Sequence, residues 1–141
     1  MVKLYVREPG TERLMPLVAP ASQNRIAILT LAQVEFRSAV RKRERDGEIP
    51  AQVATQLLDL FQRHVNATFL TQAVNDFVLD RASLLVDHYA LRAYDAIQLG
   101  GYLALRNASG NDIPIFVCSD KELVAAAANE GIPVFDPCLP T

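Results

Sequence analysis

Short apolar segments alternate with amphipathic helical segments along the chain, and this alternation constrains the fold more than any other feature. The segments 26–29, 114–118 and 132–135 are short, apolar and rich in β-branched or aromatic residues, which is typical of buried strands. Between them, apolar residues recur at helical spacing, for example over 51–64 and 72–88. Strands that alternate with helices predict an α/β fold built on a parallel sheet.

Capping and breaking residues set the limits of the predicted elements. Ser119 and Glu122 form a capping-box pattern, which predicts that Ser119 caps the helix that follows it. Capping residues and helical periodicity also predict helices over 2–8, 11–18, 51–64, 72–88, 92–107 and 121–129, and one that runs from 30 into the charged stretch 41–48. The predicted strands are 26–29, 68–70, 114–118 and 132–135.

Length and charge limit the possible classes of protein. The chain has 141 residues, which suits a single domain over 1–141 with one core. Half of the residues are apolar and 21% are charged, as in ordinary globular proteins. The net charge of -2 excludes a global positive field, so any binding of nucleic acid requires a local patch.

The remaining compositional signals concern the cell compartment. Cys118 and Cys138 lack the spacing of a metal site, and we interpret both as thiols in a reducing environment. The amino terminus has no secretory signal pattern, and no apolar run reaches the roughly 18 residues that a membrane span needs. We therefore expect a cytoplasmic protein that does not enter a membrane.

Three acidic residues stand in well-marked apolar contexts that are far apart in the chain. Glu35 follows Leu-Thr-Leu-Ala-Gln-Val, Asp95 follows Leu-Arg-Ala-Tyr, and Asp120 ends Ile-Phe-Val-Cys-Ser-Asp. Acids attached to separate apolar elements suggest one converging site. Carboxylates gathered in this way usually hold a hard divalent cation such as Mg²⁺ or Mn²⁺.

Each acid also has a structural interpretation, and the residues alone leave both open. Glu35 can extend to solvent or pair with a nearby arginine. Asp95 lies in the first turn of a helix, where the helix dipole favours acids. Asp120 opens a helix, although the carboxyl end of a parallel strand is also where α/β proteins bind ligands.

Two further patterns have more than one interpretation. The basic residues between Arg37 and Arg45 could contact phosphates, but acids at 44, 46 and 48 interrupt them, which favours a solvated helix end. Gly100-Gly101 lies within a helix and permits a close packing contact. It does not match a phosphate-binding loop, because no Walker or dinucleotide pattern surrounds it.

Taken together, four segments resemble the PIN domain family, and most closely the VapC toxins of bacterial toxin–antitoxin pairs. Residues 2–10 (VKLYVREPG) resemble the first helix of the family, and 29–39 (LTLAQVEFRSA) its second acidic motif. Residues 91–99 (LRAYDAIQL) resemble the third acidic motif. Residues 116–123 (FVCSDKEL), with 131–137 (GIPVFDP), resemble the closing strand–helix–strand.

The resemblance implies a fold and an activity. The fold would be a three-layer α/β/α arrangement around a parallel sheet. The activity would be Mg²⁺- or Mn²⁺-dependent cleavage of RNA, with Glu35, Asp95 and Asp120 as the catalytic, metal-binding acids and Ser119 beside them. The family also implies a small antitoxin partner and a homodimer.

The chain departs from the family pattern at its start. Relatives open with a central strand that carries an aspartate just before the helix that residues 2–10 resemble, whereas Met1 directly precedes Val2 here. We therefore expect the first strand and one metal ligand to be missing, with impaired activity. Two alternatives stay open: a catalytically inactive PIN-like module that binds an antitoxin or a second copy, and an unrelated α/β protein whose acids are caps and surface groups.

Overall fold

The computed structural model describes residues 1–139 and shows a mixed α/β chain with short strands. Six α-helices are present among these residues: α1 (Thr11–Val18), α2 (Ala32–Arg45), α3 (Ala51–Ala67), α4 (Asp76–His88), α5 (Ala93–Ala108) and α6 (Lys121–Asn129). The four strands of the described chain are β1 (Ala27–Leu29), β2 (Leu70–Gln72), β3 (Phe116–Val117) and β4 (Val134–Phe135). Short 3₁₀ turns occupy Val2–Leu4 and Pro20–Ser22.

The α/β prediction is confirmed, with local corrections at the element ends. The predicted helix over 2–8 is only the 3₁₀ turn Val2–Leu4. Helix α4 begins at Asp76 rather than at 72, because Asn75 Oδ1 accepts the Val78 N–H at 3.1 Å and so caps the helix there. Strand β2 lies two residues beyond the predicted strand at 68–70.

The strands pair in two separate parallel sheets of two strands each. In the first, β1 pairs with β2, with Ile28 opposite Thr71. In the second, β3 pairs with β4, with Val117 opposite Phe135. Parallel pairing is therefore confirmed, whereas the described residues do not join these strands into one continuous sheet.

The chain divides into two compact units, Met1–Ala73 and the remainder from Val74. The core of the first unit lies between α2 and α3, where Phe36 and Phe61 stack with their ring centroids 4.2 Å apart. Tyr5 packs edge-on against Phe36, and its hydroxyl is hydrogen-bonded to His64 Nδ1 at 2.7 Å. This aromatic core fixes α2 against α3.

The core of the second unit depends on a close approach of α4 to α5. Leu99 is fully buried, and a Cβ atom added to Gly100 would lie 2.8 Å from the Val78 carbonyl oxygen. The predicted packing role of Gly100 is therefore confirmed. Helix α6 contributes Leu123, Ala126 and Ala127 to the same core.

Candidate functional site

Two aspartates follow the paired strands of the second unit at the same edge of the sheet. Asp136 comes directly after β4, and Asp120 comes three residues after β3. The Cys118 N–H donates to the Phe135 carbonyl at 3.1 Å, which carries the parallel pairing to this edge. Since ligands of α/β sheets bind beyond the carboxyl ends of the strands, this edge is the candidate site.

Three aspartates influence the pKa of the Cys118 thiol. Burial is the main cause that raises the pKa of this thiol, and the negative charges of Asp120, Asp95 and Asp136 raise it further. A backbone hydrogen bond with Asp120 acts in the opposite direction. Asp95, in the first turn of α5, therefore shares its electrostatic surroundings with the two aspartates at the strand ends.

Asp120 has a structural role as well as its place at this edge. Its Oδ1 accepts the Leu123 N–H at 3.0 Å, so Asp120 is the N-cap of α6. The prediction that Ser119 caps this helix is wrong by one residue. Within the described chain, the buried Ser119 hydroxyl oxygen has no hydrogen-bond partner, and such an orphaned polar atom fits a site that receives a further polar group.

Glu35 belongs to the first unit. It lies in the first turn of α2 and its side chain is exposed to solvent. Of the three acids that the sequence singles out, the structure thus groups Asp95 and Asp120 around one thiol of the second unit. Among residues 1–139, no three His, Cys, Asp or Glu side chains are gathered closely enough to hold a metal ion.

Asp136 is the residue that the sequence reasoning missed. The signal was present, because Val-Phe-Asp at 134–136 repeats in shorter form the apolar run that ends at Asp120. Two strands that are each followed by an aspartate bring those aspartates to one edge if the strands pair in parallel. The pairing was the missing information.

The acids at this edge match a hard divalent cation in the chemistry of their side chains. Carboxylate oxygens are the ligands that Mg²⁺ and Mn²⁺ prefer. Mg²⁺ commonly keeps several waters and takes only one or two protein carboxylates. A site of that kind would need only one or two of Asp95, Asp120 and Asp136.

Two compositional expectations have structural outcomes. Cys118 and Cys138 are both thiols, as predicted. None of the helices in the described part of the chain has the length and apolarity that crossing a bilayer requires.

The sequence matches no protein-family model and no curated protein. The resemblance to PIN domains therefore stays a prediction that depends on the residues quoted for it.

Proposed function

We propose that this chain is a metal-dependent ribonuclease of the VapC type, with a PIN-like three-layer fold. The observation that carries the proposal is the parallel pairing of β3 with β4, which places Asp120 and Asp136 beyond the same edge. Asp95 lies in the first turn of α5, in the same unit. Glu35, in the first unit, is the third acid that the resemblance implies.

The chemistry follows from the charge of this cluster. Carboxylates repel an RNA phosphate, so a divalent cation on Asp95, Asp120 or Asp136 would neutralise the charge and polarise the scissile phosphate. The remaining carboxylate oxygens of the cluster accept the proton of the attacking water. The Ser119 hydroxyl supplies a hydrogen-bond donor or acceptor beside them.

The test combines cleavage with ion binding. Single-stranded RNA is incubated with the protein and Mg²⁺ or Mn²⁺, and Asp95→Asn is compared with Asp112→Asn, a matched change at an exposed loop residue of the same unit. We expect Asp95→Asn to abolish cleavage and to weaken Mn²⁺ binding measured by calorimetry. Equal cleavage by both variants would contradict the proposal.

A second candidate function is a PIN-like binding module without catalysis. The observation that favours it is an exposed apolar surface at β3. Ile115, which directly precedes β3, and Val117, within it, are 63% and 46% exposed, and residues two positions apart in extended chain lie on the same side. Because parallel sheets are normally covered on both faces, this side suits a small antitoxin or a second copy of the chain.

Ion binding separates the two candidates. A nuclease binds Mn²⁺ through Asp95 and loses that binding in Asp95→Asn. A binding module shows neither Mn²⁺ binding nor RNA cleavage, but forms a stable dimer or complex in sedimentation experiments.

A further inference from the structure

A cleft opens between α2 and α3 in the first unit. Its volume is about 200 Å³, and we call it the α2–α3 cleft. It is lined by Gln33, Val34, Arg37, Leu58, Phe61 and Gln62. Ligand pockets for whole small molecules usually measure roughly 300–1,000 Å³, so this cleft suits one planar group rather than a large ligand.

The floor of the cleft is apolar and fixed. Leu58 and Phe61 are 7% and 3% exposed, and the stack of Phe61 on Phe36 holds the ring in place. Val34, which is 66% exposed, lies in the lining. A planar ring that enters the cleft would therefore bury apolar surface without rearranging the core.

The polar groups of the cleft are one cation and two amides. Gln33 and Gln62 each offer donors and an acceptor, as the edge of a nucleobase requires. The Gln62 amide is oriented by its own hydrogen bond, from Nε2 to Asn66 Oδ1 at 3.0 Å. The mixture of amides and one guanidinium matches a base with its phosphate.

Arg37 and Arg45 are the basic residues of α2 without an acidic partner among residues 1–139, and of the two only Arg37 lines the cleft. Arg41 pairs with Glu44 at 2.7 Å, Lys42 with Asp46, and Arg43 with Glu8 and Glu48. Those pairs favour the interpretation of the basic stretch as a solvated helix end. The unpaired charge of Arg37 is available for an anion at the cleft.

We propose that the α2–α3 cleft binds one nucleotide, with its base on the floor of Leu58 and Phe61 and its phosphate on Arg37. The nucleotide can be a free mononucleotide or one unit of a single strand, and the two sources share this chemistry. The site belongs to the first unit and is independent of the aspartates of the second. It therefore holds whether or not the chain cleaves RNA.

The experiment measures binding of a labelled oligoadenylate strand by fluorescence anisotropy in EDTA, with the full chain. Arg37→Gln is compared with Arg45→Gln, which removes the same charge from an exposed arginine of the same helix that does not line the cleft. Arg37→Gln should weaken binding roughly tenfold, the cost of one charged hydrogen bond. It should also lower the slope of log affinity against log salt by about 0.7, as for one phosphate contact with a single strand.

Further measurements identify which ligand occupies the α2–α3 cleft. Val34→Trp fills the cleft from an exposed position and should abolish binding with the fold intact by circular dichroism. Competition by adenosine monophosphate indicates a site for the free nucleotide, whereas competition only by RNA or DNA strands indicates a strand site. Because binding is measured in EDTA, it does not depend on a divalent-ion site: a chain that binds the strand but does not cleave RNA with Mg²⁺ or Mn²⁺ would support this proposal and contradict the proposed nuclease function.

Three results would overturn the proposal. The first is equal loss in Arg37→Gln and Arg45→Gln, which would indicate a general charge effect. The second is unchanged oligonucleotide binding in Val34→Trp. The third is a change of self-association in Val34→Trp without a change in nucleotide binding, which would make the cleft a protein contact.

Discussion

The dual position of Asp120 gives the sharpest test of the second unit. Its carboxylate caps α6 through the Leu123 N–H, and its charge acts on the Cys118 thiol together with those of Asp95 and Asp136. Asp120→Asn keeps a good cap and removes the charge, because Asn and Asp are equally favourable at the N-cap. Asp120→Ala removes both. The difference in stability between the two variants measures the contribution of the cap.

The magnitudes follow from these contacts. Without divalent ions, Asp120→Ala should be about 1 kcal/mol less stable than Asp120→Asn, which is the usual value of one N-cap. Asp120→Asn itself should stay within about 1 kcal/mol of the wild type, because the amide keeps the cap and only the helix-dipole interaction of the charge is lost. With Mn²⁺ at a hundred times its dissociation constant, the wild type should gain about 2.7 kcal/mol.

The assay is urea unfolding followed by circular dichroism, with and without Mn²⁺. Both Asp120 variants should lose most of the Mn²⁺ gain. Asn75→Ala is the matched control, because Asn75 caps α4 of the same unit by the same type of bond to Val78 N. It should cost about 1 kcal/mol and leave the Mn²⁺ gain unchanged.

Two outcomes would refute the reasoning in different places. Equal stability of Asp120→Ala and Asp120→Asn would show that the bond to Leu123 N does not stabilise α6. A wild type that gains nothing from Mn²⁺ would remove the ion site, and with it the leading proposal for function.

Two further predictions concern the cores of the units. Gly100→Ala should lower the free energy of unfolding in urea. A Cβ atom 2.8 Å from the Val78 carbonyl oxygen costs about 1–3 kcal/mol, which outweighs a gain in helix propensity of about 1 kcal/mol. A variant more stable than the wild type would contradict the close approach of α4 and α5. Burial raises the pKa of Tyr5 from 10.0 to about 12, so the folded state holds this proton more tightly than the unfolded chain. This contribution to stability is complete below pH 10 and is lost as the pH rises towards 12. The free energy of unfolding of Tyr5→Phe should therefore depend less on pH over this range than that of the wild type. Equal pH dependence in the two proteins would show that Tyr5 is not its cause.

The sequence predicted the elements well because their signals are local. The apolar periodicity of α3 and the residues that flank α6 lie within a few positions of the helices they define. Strand pairing is different, because it joins segments far apart in the chain. The pairing of β1 with β2 involves residues about forty positions apart, such as Ala27 and Leu70, and neither three-residue strand carries a pattern that selects its neighbour.

The same reason explains what could be predicted of the candidate site. Asp95 and Asp120 were identified because each ends or follows an apolar run that is visible locally, whereas Asp136 becomes a candidate only after β4 is known to pair with β3. An acid at the start of a helix can be there to cap that helix, which is a local role, or to bind a metal ion with acids from other elements, which is a non-local role. The carboxylate of Asp120 can serve both roles at once, because the cap uses Oδ1 and the second carboxylate oxygen is left for an ion. A cap bond therefore does not argue against a metal role, and only the response of stability to an added ion distinguishes a carboxylate that does both from one that only caps.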